Sequence, residues 1–206
     1  IKLLWDNGTA DSSSQMISNA VAVAKKSDMA VIVAGIHEGE FQDRAKLSLS
    51  TQQEKLIEAV AATGKPVVVL LTGGSAITME KWLNKVQGVM MLWYPGEEGG
   101  NAVADILFGK KNPAGRLPVT FPVSEGQVPL VYNHKPTGRG DDYHDLSGEP
   151  LFPFGYGLSY TEFIYSNLRF SSDSLHDKGE VKVYVDILNA GKLAGEEVVQ
   201  LYANNI

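Results

Sequence analysis

Titratable side chains crowd one short stretch of the sequence, HEGEFQDRAKLSLS, which spans positions 37–50. Within eight positions the stretch carries an imidazole, three carboxylates and a guanidinium: His37, Glu38, Glu40, Asp43 and Arg44. Two glutamates beside an arginine could perform general acid/base chemistry, because burial and a neighbouring charge can move the pKa of a glutamate towards neutrality. Asp43 and Arg44 could orient such a glutamate or bind a polar ligand.

The same residue types fit two other interpretations. A solvated loop with local ion pairs is the more economical one from residue types alone, and each such pair contributes only about 0–1 kcal/mol. A metal site could use the imidazole and the carboxylates, but their spacing matches no defined ligand pattern, so we expect no metal here. Whether the stretch is a solvated loop or a functional site depends on where the surrounding secondary-structure elements place it.

Those elements alternate between buried strands and helices. Apolar, β-branched runs predict strands at 29–35, 66–72 and 88–94. Helices are predicted from the serines at 12–14 to about position 26, from Ser50 or Thr51 to Gly64, over 78–85 and over 97–109. For the second of these helices, Gln53 or Glu54 could complete a capping box. Continuous apolar strands of this kind are expected to be covered on both faces.

The alternation predicts an α/β fold with a mostly parallel sheet and helices on both faces, an α/β sandwich. In such sheets, ligands bind beyond the carboxyl ends of the strands. The stretches HEGEFQDR, GGSA and PGEEGG each follow one of the three predicted strands. This places the charged stretch on the functional edge of the sheet.

The pattern changes after Lys110. A long segment without hydrophobic period, rich in Pro and Gly, leads into the aromatic run LFPFGYGLSYT, and FIYSNLRF, EVKVYVDIL and EEVVQLYA then read as strands of a partial antiparallel β-sandwich. We therefore predict an α/β sandwich domain over 1–122, an irregular linker over 123–161 and the start of a β-sandwich over 162–206.

Composition limits the possible partners. The net charge of −6 argues against an electrostatic nucleic-acid partner, the absence of cysteine excludes disulfides and thiolate metal sites, and no apolar run approaches the length needed to span a membrane. The chain begins at Ile1 and ends in QLYANNI, a strand-like segment, so we expect it to be a piece of a longer protein. The segments TGGSA and GRGDDYHD could bind phosphate or calcium, but a tight turn and a solvated loop explain them better.

Four segments resemble glycoside hydrolase family 3, and its bacterial β-glucosidases in particular. They occur in the family's order and cover nearly the whole chain: GEFQDRAKLSLSTQQEKLI, KPVVVLLTGGSAITMEKW, WYPGEEGGNAVADILFGKKNPAGRLPVTFP and FPFGYGLSYTEF. The resemblance implies a retaining, exo-acting β-glycosidase that hydrolyses terminal β-D-glucosyl residues of a β-linked oligosaccharide or glucoside. It also implies no cofactor and a periplasmic or secreted location.

The resemblance further implies a three-part enzyme. An N-terminal (β/α)₈ barrel of the same polypeptide would carry the Asp nucleophile, the α/β sandwich the acid/base, and a fibronectin type III-like domain would follow. This chain resembles most of the α/β sandwich, without its first strand or two, followed by the start of the fibronectin type III-like domain. Since the barrel and its nucleophile are not part of it, the isolated fragment is expected to show no turnover.

The family motif also assigns site residues. In members with an EGFDR-type loop, the acid/base precedes the Asp by three positions, which corresponds to Glu40 here. The loop reads EFQDR, however, and the additional Glu38 in EGE takes the role if Glu-Gly sets the register. His37, Asp43 and Arg44 would bind substrate or anchor the loop. The alternative function, in another class, is a non-catalytic carbohydrate-binding or scaffolding module; a barrel with a nucleophile motif upstream would favour the enzyme.

Overall fold

The computed structural model describes residues 14–135, 140–174 and 179–203. The chain forms two compact units: one comprises Ile1–Gly99 and Val119–Phe154, and the other comprises Gly100–Pro118 and Gly155–Ile206. These units are defined by internal contacts, and the domain limits that we drew at 122 and 161 stay a prediction. None of the helices in the described ranges combines the length and the apolar character needed to cross a membrane.

The first unit contains a parallel three-stranded sheet. Its strands are β1 (Ala30–Gly35), β2 (Val67–Thr72) and β3 (Gly88–Trp93), in the order β1-β2-β3. The central strand is the most deeply buried, with Val67, Val69 and Leu71 fully inaccessible to solvent. The predicted class, a parallel sheet with helices followed by a small antiparallel sheet, is confirmed.

One detail of β1 differs from expectation. Ile32 and Ala34 are buried, but Val31 and Val33, which alternate with them, are 45% and 67% exposed. Helix α2 (Thr51–Ala61) packs against β1 and β2, while no other strand pairs with β1 among the described residues. The prediction that this strand is covered on both faces is therefore wrong for the chain as described.

Two of the predicted helices of this unit form close to their expected limits. Helix α1 covers Ser14–Ala24, and α2 begins after Ser50, whose side chain accepts a hydrogen bond from the Gln53 N–H at 3.3 Å. Glu54 does not close a capping box; it is buried in α2 and accepts a hydrogen bond from Lys81 Nζ at 2.7 Å. The Ser50 side chain thus provides an acceptor for one of the backbone N–H groups in the first turn of α2 that have no partner within the helix.

The helix predicted over 78–85 is wrong. Thr78 instead forms a bridge to Ser48, and its N–H donates to Leu47 O at 3.1 Å, so the backbone is extended where the helix was expected to begin. Only the 3₁₀ turn Leu83–Lys85 remains helical. Competition from a distant backbone partner overrides the local helical pattern.

A buried glutamine organises the irregular part of the first unit. Gln127 ends the 3₁₀ turn Glu125–Gln127, and its amide oxygen accepts from the Val123 N–H at 2.6 Å and from the Ser124 N–H at 3.4 Å. The amide nitrogen donates to the carbonyl oxygens of Ser147 and Glu149, both at 3.0 Å. One side chain thus joins two segments that are about twenty residues apart.

The second unit contains helix α3 (Gly99–Leu107, whose first residue belongs to the other unit) and an antiparallel pair, β4 (Phe163–Phe170) and β5 (Val183–Asn189). The strand predicted for EEVVQLYA is wrong, because residues 196–203 pair with no strand in the part of the chain that the structure describes. Side-chain bonds hold this segment instead: Glu197 accepts from Arg116 Nη2 at 2.7 Å and from the Tyr165 hydroxyl at 3.0 Å.

Candidate active site

The charged stretch leaves β1 as a loop that ends in a tight turn. Pairing with β2 continues one residue past the strand, where the Ile36 N–H donates to Thr72 O at 3.1 Å. The Gln42 N–H then donates to Gly39 O at 3.0 Å and closes a turn with Glu40 and Phe41 at its centre. Phe41 has φ +63°, in the left-handed region. Glu40 and Phe41 therefore form the tip of the loop.

The carboxylate of Glu38 is surrounded by hydrogen-bond donors. It accepts from the Gly74 N–H at 2.7 Å, from the Tyr94 hydroxyl at 2.9 Å and from Arg44 Nε at 3.2 Å. The Ser75 hydroxyl also donates to it. We call Glu38 and these four donors the Glu38 clamp.

Arg44 fastens the clamp to the loop after β2. Its Nη2 donates to Ser75 Oγ at 2.8 Å and to Ala76 O at 3.1 Å, while its Nε reaches Glu38. The Arg44 and Glu38 side chains are only 15% and 20% exposed, respectively. An ion pair this well shielded is held more firmly than a surface pair, because solvent screens it less.

Close approach of the backbone explains the glycine in the clamp. A Cβ at Gly74 would lie 2.9 Å from Tyr94 Cε2 and 3.0 Å from Glu38 Oε2. Any side chain there would push against the two groups that the clamp joins. Gly74 therefore lets the loop after β2 come near enough to donate its N–H.

The clamp keeps Glu38 ionised. Burial is the largest single influence on the pKa of Glu38 and would raise it, but the four donors together lower the pKa below its ordinary value of 4.5. The same contact raises the pKa of Tyr94, because its hydroxyl donates to this carboxylate. Hydrogen bonding to the charged form favours that form, so Glu38 is an acceptor with no proton to donate at neutral pH.

Glu40 lies in a different environment from Glu38. It is exposed at the tip of the turn, and within the described ranges its side chain forms no hydrogen bond or ion pair. His37 and Asp43 are likewise exposed, without a side-chain partner in those ranges. Of the five predicted site residues, the structure therefore brings Glu38 and Arg44 together and leaves the other three facing solvent.

Sequence reasoning missed three members of the clamp. Gly74 and Ser75 belong to the GGSA turn, which we interpreted only as a tight turn, and Tyr94 was included as the last residue of the strand predicted over 88–94. Their positions after β2 and β3 were the available signal, because parallel strands bring such loops to one edge. Among the described residues, no group of three or more His, Cys, Asp or Glu side chains is placed to hold a metal ion.

Comparison with known proteins gives consistent matches. The model described as the glycosyl hydrolase family 3 C-terminal domain matches residues 6–160. The periplasmic beta-glucosidase of Salmonella typhimurium is 40% identical over 204 residues, which cover 93% of this chain and 27% of that protein. A beta-xylosidase of Formosa agariphila is 39% identical over 200 residues, which cover 94% of this chain and 28% of that protein.

A solved structure agrees with these matches. The crystal structure of a beta-glucosidase from Listeria innocua in complex with glucose has a TM-score of 0.82 and 33% sequence identity, and the match covers 90% of this chain and 28% of that one. The chain thus spans less than a third of the length of these relatives. Because the family model covers well over half of the sequence, the chain belongs to glycosyl hydrolase family 3 and corresponds to the C-terminal domain of that family.

Proposed function

We propose that this chain is the C-terminal part of a retaining, exo-acting β-glycosidase that removes terminal β-D-glucosyl residues from a β-linked oligosaccharide or glucoside. Relatives named as beta-glucosidases support this substrate class. The α/β domain would extend over 1–122 and the start of a fibronectin type III-like domain over 162–206, joined by the linker 123–161. The periplasmic relative supports a periplasmic or secreted location.

Retaining glycosidases need two carboxyl groups about 5–5.5 Å apart. We assign the nucleophile to an Asp of an N-terminal barrel in the same polypeptide and the acid/base to the loop after β1. In the first step the acid/base protonates the glycosidic oxygen as the nucleophile attacks the anomeric carbon and the leaving group departs. In the second step the acid/base, now a carboxylate, takes a proton from the water that displaces the nucleophile.

The difference between the two glutamates is the observation that carries the assignment of this role to Glu40. Glu38 is ionised and its oxygens are occupied by four donors, whereas no group in the described part of the chain bonds to the exposed carboxyl group of Glu40 at the tip of the turn. A group that exchanges protons with substrate and then with water must be accessible to both. Glu38 is therefore the anchor of the loop and Glu40 its proton donor.

The remaining candidates take supporting roles. Arg44 holds the base of the loop through Glu38, Ser75 and the carbonyl of Ala76. His37 and Asp43 flank the turn and are exposed, which suits contacts with substrate hydroxyl groups. The reaction requires no cofactor or metal ion.

The test uses the full-length protein and the variants Glu40→Gln and Glu38→Gln. With 4-nitrophenyl β-glucoside we expect Glu40→Gln to lower turnover about 10²- to 10⁴-fold, as is typical for loss of a general acid/base. On an activated substrate, 2,4-dinitrophenyl β-glucoside, azide should restore turnover and yield β-glucosyl azide, because the anion needs no general base.

The matched control is Glu38→Gln, which removes the same charge two residues away. We expect it to lower activity through movement of the loop, without rescue by azide. If azide restores the turnover of Glu38→Gln while Glu40→Gln retains wild-type turnover, the acid/base is Glu38. Full activity of both variants would mean that the loop supplies no catalytic group, and this domain would then be a non-catalytic carbohydrate-binding or scaffolding part of the longer enzyme.

A further inference from the structure

Phe41 is an exposed aromatic residue in an unfavourable backbone conformation. It follows Glu40 at the tip of the turn, and its side chain is 95% exposed. Its φ of +63° lies in the left-handed region, which side chains other than glycine enter at a steric cost. The turn closed by Gly39 and Gln42 would form more readily with glycine at this position.

The described structure therefore gains nothing from a phenylalanine at this site. A ring in water contributes no apolar burial, and its Cβ strains the turn. Strain of this kind persists where a residue serves another purpose, and it supports a hypothesis of function when it is observed beside a reacting group. The reacting group here is the carboxyl of Glu40, the adjacent residue.

The position of Phe41 is fixed well enough to contact a ligand. Glu38 and Arg44 bond to each other across six positions and hold both sides of the turn against the loop after β2. The tip between them spans only four residues, closed by the hydrogen bond from Gln42 to Gly39. A short turn on a fixed base presents its central side chains with little freedom, which is what a binding contact needs.

We propose that the ring of Phe41 contacts the leaving group of the substrate and sets a preference for leaving groups that contain a ring, aryl or pyranose. The inference rests on the proposed function, with Glu40 as proton donor. The atom that Glu40 protonates belongs to the leaving group, and consecutive Cα atoms are about 3.8 Å apart, so the ring of the next residue is within reach of the same group. Aromatic rings stack on the faces of aryl groups and pyranose rings.

The alternative is that Phe41 packs against another part of the longer protein. The two steps of the reaction separate these possibilities. The leaving group is present only in the first step, whereas Glu40 acts in both and depends on the same loop. Loss of a leaving-group contact should impair the first step alone, but loss of a packing contact should displace the loop and impair both.

The experiment compares full-length wild type with Phe41→Ala and Phe41→Gly. For 4-nitrophenyl β-glucoside and cellobiose we expect kcat/KM to fall about three- to tenfold, the range expected for one stacked ring. For methyl β-glucoside, whose methanol leaving group has no ring on which Phe41 could stack, kcat/KM should stay within about twofold of the wild-type value. The kcat for 2,4-dinitrophenyl β-glucoside, which measures the second step, should be unchanged.

The two variants control for backbone strain, because both remove the ring and only glycine relieves the left-handed conformation. An equal loss on methyl β-glucoside, or a slower second step, would overturn the proposal, as would wild-type kinetics of Phe41→Gly with every substrate. Azide rescue of Glu40→Gln is measured in parallel with the activated substrate. A leaving-group effect without that rescue would count against the acid/base assignment and leave the contact of Phe41 standing.

Discussion

The Glu38 clamp allows a quantitative prediction for Glu38→Gln. The glutamine keeps one acceptor oxygen, which can serve about two of the four donors, and its NH₂ group faces the other two. Hydrogen bonds to a charged group contribute about 1.5–3 kcal/mol each. Because the side chain is 20% exposed, we take the lower value for each lost bond, so the loop should lose about 3 kcal/mol.

This loss should be visible as a larger population of the open loop. About 3 kcal/mol corresponds to a roughly 150-fold larger equilibrium constant for opening. Amide hydrogen exchange of the chain measures it at the Gly74 N–H, which loses its acceptor, and at the Gln42 N–H, which closes the turn. Both amides should exchange faster by about that factor.

Glu40→Gln is the matched control, because its side chain has no partner among the described residues and exchange should stay at the wild-type rate. If Glu38→Gln accelerates exchange of Gly74 and Gln42 less than about threefold, the clamp does not hold the loop and the assignment of Glu38 as anchor is wrong.

Three further predictions concern the same unit. Gly74→Ala should push Tyr94 away from Glu38, so the raised pKa of Tyr94 should return towards its ordinary value of 10.0 in an NMR titration of ring-labelled tyrosine. Gln127→Leu should lower the free energy of unfolding in urea by about 3–5 kcal/mol, because it removes four hydrogen bonds from a buried side chain to the backbone, each contributing about 1 kcal/mol, whereas Gln52→Leu on the exposed side of α2 should change it by less than about 0.5 kcal/mol. The depressed pKa of Glu38 makes its contribution to stability complete above pH 4.5 and lost as the pH falls through the lower, folded value. The protection of the Gly74 N–H, measured as its exchange rate relative to an unstructured amide at the same pH, should therefore decrease only below pH 4.5.

The sheet could be predicted because its signals are local and strong. The runs that form β1, β2 and β3 are continuous and β-branched, and Ser50 is a favourable N-cap in front of an amphipathic stripe. The placement of the charged loop at the carboxyl edge followed from parallel pairing. These features depend on neighbours in sequence or on a general rule for parallel sheets.

Features that depend on distant partners could not be predicted. Residues 78–85 have a helical pattern, but Thr78 pairs with Ser48, thirty positions away. Glu38 and Glu40 are the same residue type in the same loop. They differ because Gly74 and Tyr94, from the segments after β2 and β3, donate hydrogen bonds to Glu38 only, and the sequence of the loop does not predict these contacts. The segment 196–203 contains the β-branched and aromatic residues typical of a strand, yet a strand needs a neighbour with which to form hydrogen bonds.

The clamp also has a consequence for how the chain folds. Its donors follow different strands, since Gly74 lies 36 positions and Tyr94 56 positions from Glu38. All of them can meet the carboxylate only after both parallel pairings have formed in the correct register, and closing such long loops is slow. The loop with Glu40 is therefore fixed only after the sheet has formed, and a chain with a slipped or missing strand would have an unclamped loop. Order in this loop reports that the whole sheet has assembled.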